Sequence, residues 1–180
     1  EAIWYLIGEE RGQIEASPWL ESLAEKGQEV LLLTDPVDEF LVHALAEYQG
    51  KPLRAVDREA PAGEEIPAPV RESYEGLLTR LGRALSSVQE VRLSARLRES
   101  ASCLVAAEGA LGAHMERLLE RMGKGDELPE RRRILELNPE HPTVQALRHL
   151  HETDPDDPRV EDYGRLLYDE AVLTEGSRLE

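Results

Sequence analysis

The sequence predicts an α+β fold in two parts: a small β-α-β-α-β segment, then a mixed domain with a small sheet and helices toward its end. Three observations predict it. Short apolar runs alternate with helix-start signals up to residue 58. A proline- and glycine-containing stretch then breaks the pattern. Beyond it, strands and helices follow one another in mixed rather than alternating order.

The elements follow from local chemistry. Ile3-Trp4-Tyr5-Leu6-Ile7, stopped by Gly8, reads as a buried strand. Ser17-Pro18 is a helix start, with Ser17 able to cap free N–H groups and Pro18 suited to the first helical position. Trp19, Leu20, Leu23 and Ala24 then recur at helical spacing, and Lys26-Gly27 ends the helix. Val30 to Leu33 is a second buried strand. Asp35-Pro36 opens a second helix, in which Val37, Phe40, Leu41, Ala44, Leu45 and Tyr48 keep helical period until Gly50. Leu53 to Val56 completes a small parallel sheet with short crossovers.

Ala60 to Pro69 holds three prolines, Gly63 and two glutamates. That composition is a linker. It divides the chain into residues 1–58, a linker at 59–70, and residues 71–180. In the second part, Tyr74, Leu77, Leu78, Leu81 and Leu85 form a helical stripe. Val88 to Leu97 alternates, with Val91, Leu93, Ala95 and Leu97 on one side and Arg92, Ser94, Arg96 and Arg98 on the other, as in a half-exposed strand. Ser102–Ala106 and Arg132–Leu137 are further strands, the latter broken by Asn138-Pro139. Helices are expected over Gly109–Met122, Pro142–His151 and Val160–Glu175, the last with Tyr163, Leu166, Leu167, Ala171 and Val172 inward and Gly176 after it.

Composition bounds the function. The 180 residues carry 21 Lys and Arg against 37 Asp and Glu, a net charge of −16. That balance disfavours nucleic acid, whose phosphates would be repelled over most of the surface. No apolar run approaches the roughly 20 residues of a membrane span. A single cysteine, Cys103, fits a reducing compartment. The first residue is Glu1, and the chain reads as a piece of a longer protein.

Little catalytic chemistry survives inspection. Gly8 and Gly12 frame Glu9, Glu10 and Arg11, the wrong residues for a phosphate cradle. His149 and His151, near Glu152 and Asp154, would lie about 200° apart on a helix, so no metal is expected there. Cys103 sits in an apolar strand and reads as an inert buried thiol. Asp35, Asp38 and Glu39 are explained by helix capping. The helix at 109–122 is more informative. Leu111, Met115, Leu118, Leu119 and Met122 form one apolar stripe, against which two readings stand: packing on neighbouring strands, or an adaptable surface for other proteins.

Several long runs resemble one family. Ile3 to Glu9, Ser17 to Glu21, Lys26 to Glu39, Val91 to Leu97, Ser102 to Ala106, Ala113 to Arg117, Ile134 to Pro142 and Leu166 to Gly176 resemble, in order, the heat-shock protein 90 chaperones of the bacterial branch. The resemblance implies that residues 1–58 are the end of the middle domain and that residues 71–180 are the C-terminal dimerisation domain. It implies an ATP-driven, homodimeric, cytoplasmic chaperone whose partners are unfolded clients. The ATP and Mg sites are implied upstream, so this segment is expected to be no enzyme and to bind no cofactor itself. The implied client-contact residues are Phe40, Leu111, Met115, Leu118 and Leu119. The implied dimerisation residues are Leu166, Leu167, Ala171, Val172 and Leu173, which would present open apolar surface because the family's final helix does not follow Glu180. The linker is also shorter than in most of the family. From strand-helix order alone, a small cofactor-binding enzyme domain stays open as an alternative, as does a purely structural dimerisation module.

Overall fold

The computed structural model describes residues 2–58, 65–107, 110, 113–124, 133–177 and 179. Its first part is a four-stranded sheet in the order β2-β1-β4-β3. Strand β1 (Ile3–Ile7) lies parallel to both β2 (Val30–Leu33) and β4 (Lys51–Ala55), with Tyr5 opposite Leu31 on one side and Ala55 on the other. Short helices α1 (Arg11–Glu15) and α2 (Glu21–Glu25) connect β1 to β2, with a 3-10 turn at Pro18–Leu20 between them. Ser17 accepts from the Trp19 N–H, the cap its position predicts. Helix α1 was not visible in the sequence pattern. It seats Ile14 against Gly8, where an added Cβ would come within 2.7 Å of the Ile14 side chain. Gly8 is therefore needed for packing.

Helix α3 (Pro36–Ala44) starts at Asp35 with a reciprocal cap: the Asp35 carboxylate accepts from Val37, and Asp38 accepts from the Asp35 N–H. The expected continuation to Tyr48 is corrected. The helix stops at Ala44, and Glu47–Tyr48 form β3, antiparallel to β4. Gln49 and Gly50 both have positive φ, 50° and 76°, the backbone of a tight two-residue hairpin. The sheet is therefore mixed, not wholly parallel.

The second sheet has the order β5-β7-β6, with β5 (Glu90–Leu93) parallel and β6 (Ser102–Ala106) antiparallel to β7 (Arg133–Leu137). All five residues of β7 are buried, because both faces of this central strand are covered. One face packs on α4 (Ala68–Ala84), α6 (Pro142–Thr153) and α7 (Arg159–Glu175) through Tyr74, Leu81, Leu135, Leu137, Val144 and Leu167. The other gathers Leu97, Cys103, Val105 and Ile134, with Trp19 of the first part packed against them. The Trp19 indole N–H donates to the Leu104 carbonyl at 2.9 Å, joining the two sheets.

The half-exposed strand expected through Leu97 is also corrected. It ends at Leu93, and Ser94 and Arg96 are both buried at 4% exposure rather than facing solvent. Asn138 ends β7 as expected. Its side chain donates to the Arg98 and Ser100 carbonyls and accepts from the Glu140 N–H. Gly176, at φ 86°, closes α7 in the left-handed conformation.

Helices α4 and α7 meet where Gly164 faces Leu81, and a Cβ at residue 164 would collide with the buried Leu81 side chain. Gly164→Ala is expected to cost about 1–3 kcal/mol through overpacking, read as a lower denaturation midpoint with an unchanged slope.

Candidate functional site

One helix carries an apolar stripe outward, and a second buries a glutamate beside a half-buried stripe. On α3, Val37, Phe40, Leu41 and Leu45 fall at i, i+3, i+4 and i+8 and are all exposed, Phe40 at 57%. Tyr48, just beyond, is exposed as well. The residues α3 turns inward are Glu39, at 4%, and Val42. A carboxylate oxygen of Glu39 lies 3.6 Å from the Arg58 guanidinium, at the end of β4. Burial raises the Glu39 carboxyl above its ordinary value, against the opposing pull of Arg58.

Helix α5 (Ala113–Arg121) is the second. Among its described side chains Glu116 is buried, at 5%, while Met115 and Leu119 are half-buried and Met122, just past the helix, is exposed. Neither Met115 nor Leu119 joins either apolar cluster of the described residues. Half-burial of Met115 and Leu119 is compatible with either reading of this stripe. Leu111 and the side chain of Leu118 lie outside the described residues. The polar side of α5 is held by charge. Arg133 on β7 grips Glu116 through two bonds of 2.6 and 3.2 Å and reaches Glu175 of α7 at 2.9 Å. From the first sheet, Glu9 pairs with Arg121 at 2.8 Å and approaches Arg117 at 3.6 Å.

A second buried ionic group lies beside the first. Glu136 on β7 accepts from Arg92, Arg96 and Ser94 at 2.7–3.1 Å. Burial works against its charge, but Arg96 and Arg92 outweigh it and hold the carboxyl below its ordinary value. Cys103, against this pair, is buried and its thiol is pushed up to about 12 by burial, so it is protonated and unreactive at neutral pH.

The helix that carries the implied dimerisation residues divides them. Leu166 is 60% exposed and Leu173 is exposed too, with Tyr163 on the same side. Leu167 at 2%, Ala171 and Val172 belong to the chain's own core. The expectation of open apolar surface is therefore corrected for these three, and the inward placement of Tyr163 and Leu166 is corrected as well. A helix of 17 residues has room for both faces. The exposed face borders a groove of about 1060 Å³ between α7, the α1–α2 segment and the turn at residues 98–101.

The remaining sequence candidates are dispersed. His149 is exposed, while His151 sits against Gly76 of α4. No group of three His, Cys, Asp or Glu residues is placed to hold a metal among the described residues. None of the described helices is long and apolar enough to cross a membrane. The buried Glu–Arg anchors of α3 and α5 were missed in the sequence. The available signal was an acidic residue flanked by apolar positions on a strongly amphipathic helix.

These features define a mixed helix-and-strand protein with two small mixed sheets and exposed apolar side chains on α3 and α7. The chain belongs to the Hsp90 protein family, whose family model, described as Hsp90 protein, matches residues 1–180. It is similar to the chaperone protein HtpG of Geobacter sulfurreducens, with 48% identity over 98% of this chain and 28% of that protein. The HtpG of Myxococcus xanthus is 42% identical over 99% of this chain and 28% of its own length. That of Mycobacterium avium is 43% identical over 99% of this chain and 29% of its own length. The chain thus spans somewhat more than a quarter of the relatives it matches.

Of the buried carboxylates, Glu39 and Glu136 should respond to acid in opposite senses. Glu39 holds its proton more tightly folded than unfolded, so its contribution falls as pH rises from the ordinary value of 4.5 through the raised one. Glu39→Gln is expected to raise the melting temperature at pH 7, with the gain shrinking as pH approaches 4.5. Glu136 stabilises above its ordinary value and loses that contribution as pH falls through its lowered one. Glu136→Gln is expected to lower the melting temperature at pH 7 and to do so less in acid.

Proposed function

We propose that this chain supplies the client-holding and self-association surfaces of an Hsp90-family chaperone. The observation that carries the reading is the burial pattern of α3 and α5: each buries a glutamate, while Phe40 is exposed and Met115 and Leu119 are only half-buried. Exposed apolar faces on anchored helices are a standing cost in water unless they meet a partner. Methionine and leucine side chains can repack against apolar segments of varied shape, which suits unfolded clients. Leu111 and Leu118 extend the same stripe in sequence and belong to the same proposed surface. The ATP-driven part of the cycle is assigned to the rest of the whole protein, with this segment, in the cytoplasm, acting as holder and not as enzyme.

Self-association is proposed through the outer face of α7, where Tyr163, Leu166 and Leu173 are exposed. Leu167, Ala171 and Val172 support that face from inside the chain. A linker at residues 59–70 separates a middle-domain end at 1–58 from a dimerisation domain at 71–180 in this reading.

In the whole protein, replacing Phe40, Met115 and Leu119 together by Ser is expected to weaken retention of a chemically unfolded client at least severalfold, with the melting temperature held. Light scattering during client dilution and calorimetry on the variant read the two quantities. Full client retention by the folded triple variant would remove the assignment. Leu166→Glu with Leu173→Glu is expected to shift sedimentation velocity toward monomer without touching the core. An unchanged dimer would exclude this face of α7.

A further inference from the structure

Four strands stand at sheet edges: β2 and β3 in the first sheet, β5 and β6 in the second. An edge strand carries backbone N–H and C=O groups that no neighbouring strand pairs, and proteins protect such edges by shortness, charge or a covering element. Strand β3 has only two residues. Strand β5 carries Glu90 and Arg92, both exposed. Strand β6 is buried at four of its five residues and packs against α7. Strand β2 has none of these protections. Val30-Leu31-Leu32-Leu33 holds no charge and no proline, none of its residues is buried, and Leu31 is 49% exposed.

The ladder decides which backbone groups of β2 are open. The Gly8 N–H donates to the Leu33 carbonyl at 3.1 Å, and Leu6 stands opposite Leu32. Bonding residues alternate along a parallel pair, so Leu31 and Leu33 turn their backbone groups toward β1 and Val30 and Leu32 turn theirs away. Among the described residues, no backbone group reaches Val30 or Leu32 from that outer side. Two N–H and two C=O groups are thus presented at the spacing of a strand. The nearest charged residues on either side, Glu29 before the strand and Asp35 after it, are both exposed and both acidic.

We propose that the outer edge of β2 takes an extended apolar segment of an unfolded chain, flanked by basic residues, as an added strand. The proposal rests on the client-holding function above and names the kind of segment held and the way it is held. Main-chain bonds to Val30 and Leu32 supply affinity whatever the side chains are, and the exposed Leu31 meets the apolar positions of the segment. Basic flanks meet Glu29 and Asp35. A helical segment does not fit, because its own backbone bonds leave no N–H groups for the edge. A second copy of this chain fits poorly, because antiparallel pairing through the same edge brings Glu29 of one copy toward Asp35 of the other.

The test uses the whole protein and a fluorescent peptide of alternating valine and threonine between pairs of lysine. Amide hydrogen exchange is resolved to single residues. Without peptide, Val30 and Leu32 are expected to exchange fast and Leu31 and Leu33 slowly. Peptide is expected to slow Val30 and Leu32 about tenfold or more and to leave Leu31 and Leu33 unchanged. Docking through side chains alone would slow no such alternate set. The proposal is overturned if Val30 and Leu32 are already slow without peptide, if they stay fast with peptide bound, or if the peptide does not bind. Leu31→Lys places a cation beside the edge at an exposed position and keeps the ladder to β1. It is expected to weaken the peptide about fivefold or more in fluorescence anisotropy, with the melting temperature held. A peptide with glutamates in place of the lysines is expected to bind more weakly, and equal affinity for the two removes the basic flanks from the proposal. Retention of a chemically unfolded client is measured beside these. Retention that Leu31→Lys leaves unchanged overturns the edge as a client site and leaves the surface on α3 and α5 standing. Peptide pairing at the edge without any client retention keeps the edge as a peptide site and removes the proposed function.

Discussion

The carboxylate of Glu136 is the constraint on which the junction between the two sheets depends. It sits on the central strand of the second sheet, on the face that meets the first part. A charge there must be fully partnered, because its desolvation is not recovered otherwise. Arg92 comes from the neighbouring strand, directly opposite in register. Arg96 and Ser94 come from the segment just after that strand, which therefore leaves extended geometry at Leu93 and folds over the carboxylate. Arg96 then has a guanidinium nitrogen to spare, and it donates to the Val56 carbonyl at the end of the first sheet. One carboxylate thus ends a strand, buries two polar residues and holds the first sheet against the second.

The rest of the junction extends that arrangement with backbone partners. The Glu21 carboxylate, at the start of α2, accepts from the backbone N–H groups of Arg98, Glu99 and Ser100 and from the Ser100 hydroxyl. Trp19 adds an apolar ring with one N–H directed at a β6 carbonyl. These contacts are specific in direction, unlike apolar burial, so they fix how the two parts are set relative to each other. They also hold Glu9 where it can pair with Arg121, so that α5 is held from both parts.

The surface proposed for clients follows from the same use of buried charge. A helix normally docks by its apolar stripe and gives its polar side to water. Helix α3 gives apolar residues to water and turns Glu39 inward near Arg58, and on α5 Glu116 is buried against Arg133 while Met115 and Leu119 are half-buried. On α5 the Glu116–Arg133 pair is a buried contact, whereas on α3 the buried Glu39 carboxylate is only partly offset by Arg58 and Val42 supplies the apolar contact. The acidic net charge keeps such a molecule in solution despite those faces.

Much of the scaffold was legible in the sequence for local reasons. Strands β1, β2 and β6 are largely apolar runs, β7 carries Ile134, Leu135 and Leu137, and the starts at Ser17-Pro18 and Asp35-Pro36 are capping chemistry that needs no partner. The break at Asn138-Pro139 and the stop at Gly176 are equally local. The sequence determined these because each depends on residues within one turn of itself. It also determined which helices are amphipathic, and hence that Phe40 and the Met115–Leu119 stripe were candidates. Tertiary structure alone decided which way those stripes face, because periodicity defines a face and not its direction. It decided that Leu166 and Leu173 are open while Leu167, Ala171 and Val172 are core, since apolar residues are spread around most of α7 and periodicity does not say which of them meet the sheet. The conversion of Glu47–Tyr48 from helix to hairpin required β4 as a partner. The burial of Arg96, Glu116, Arg133 and Glu136 required partners up to 44 residues away in the chain, and no local pattern marks a charge that distant partners will neutralise.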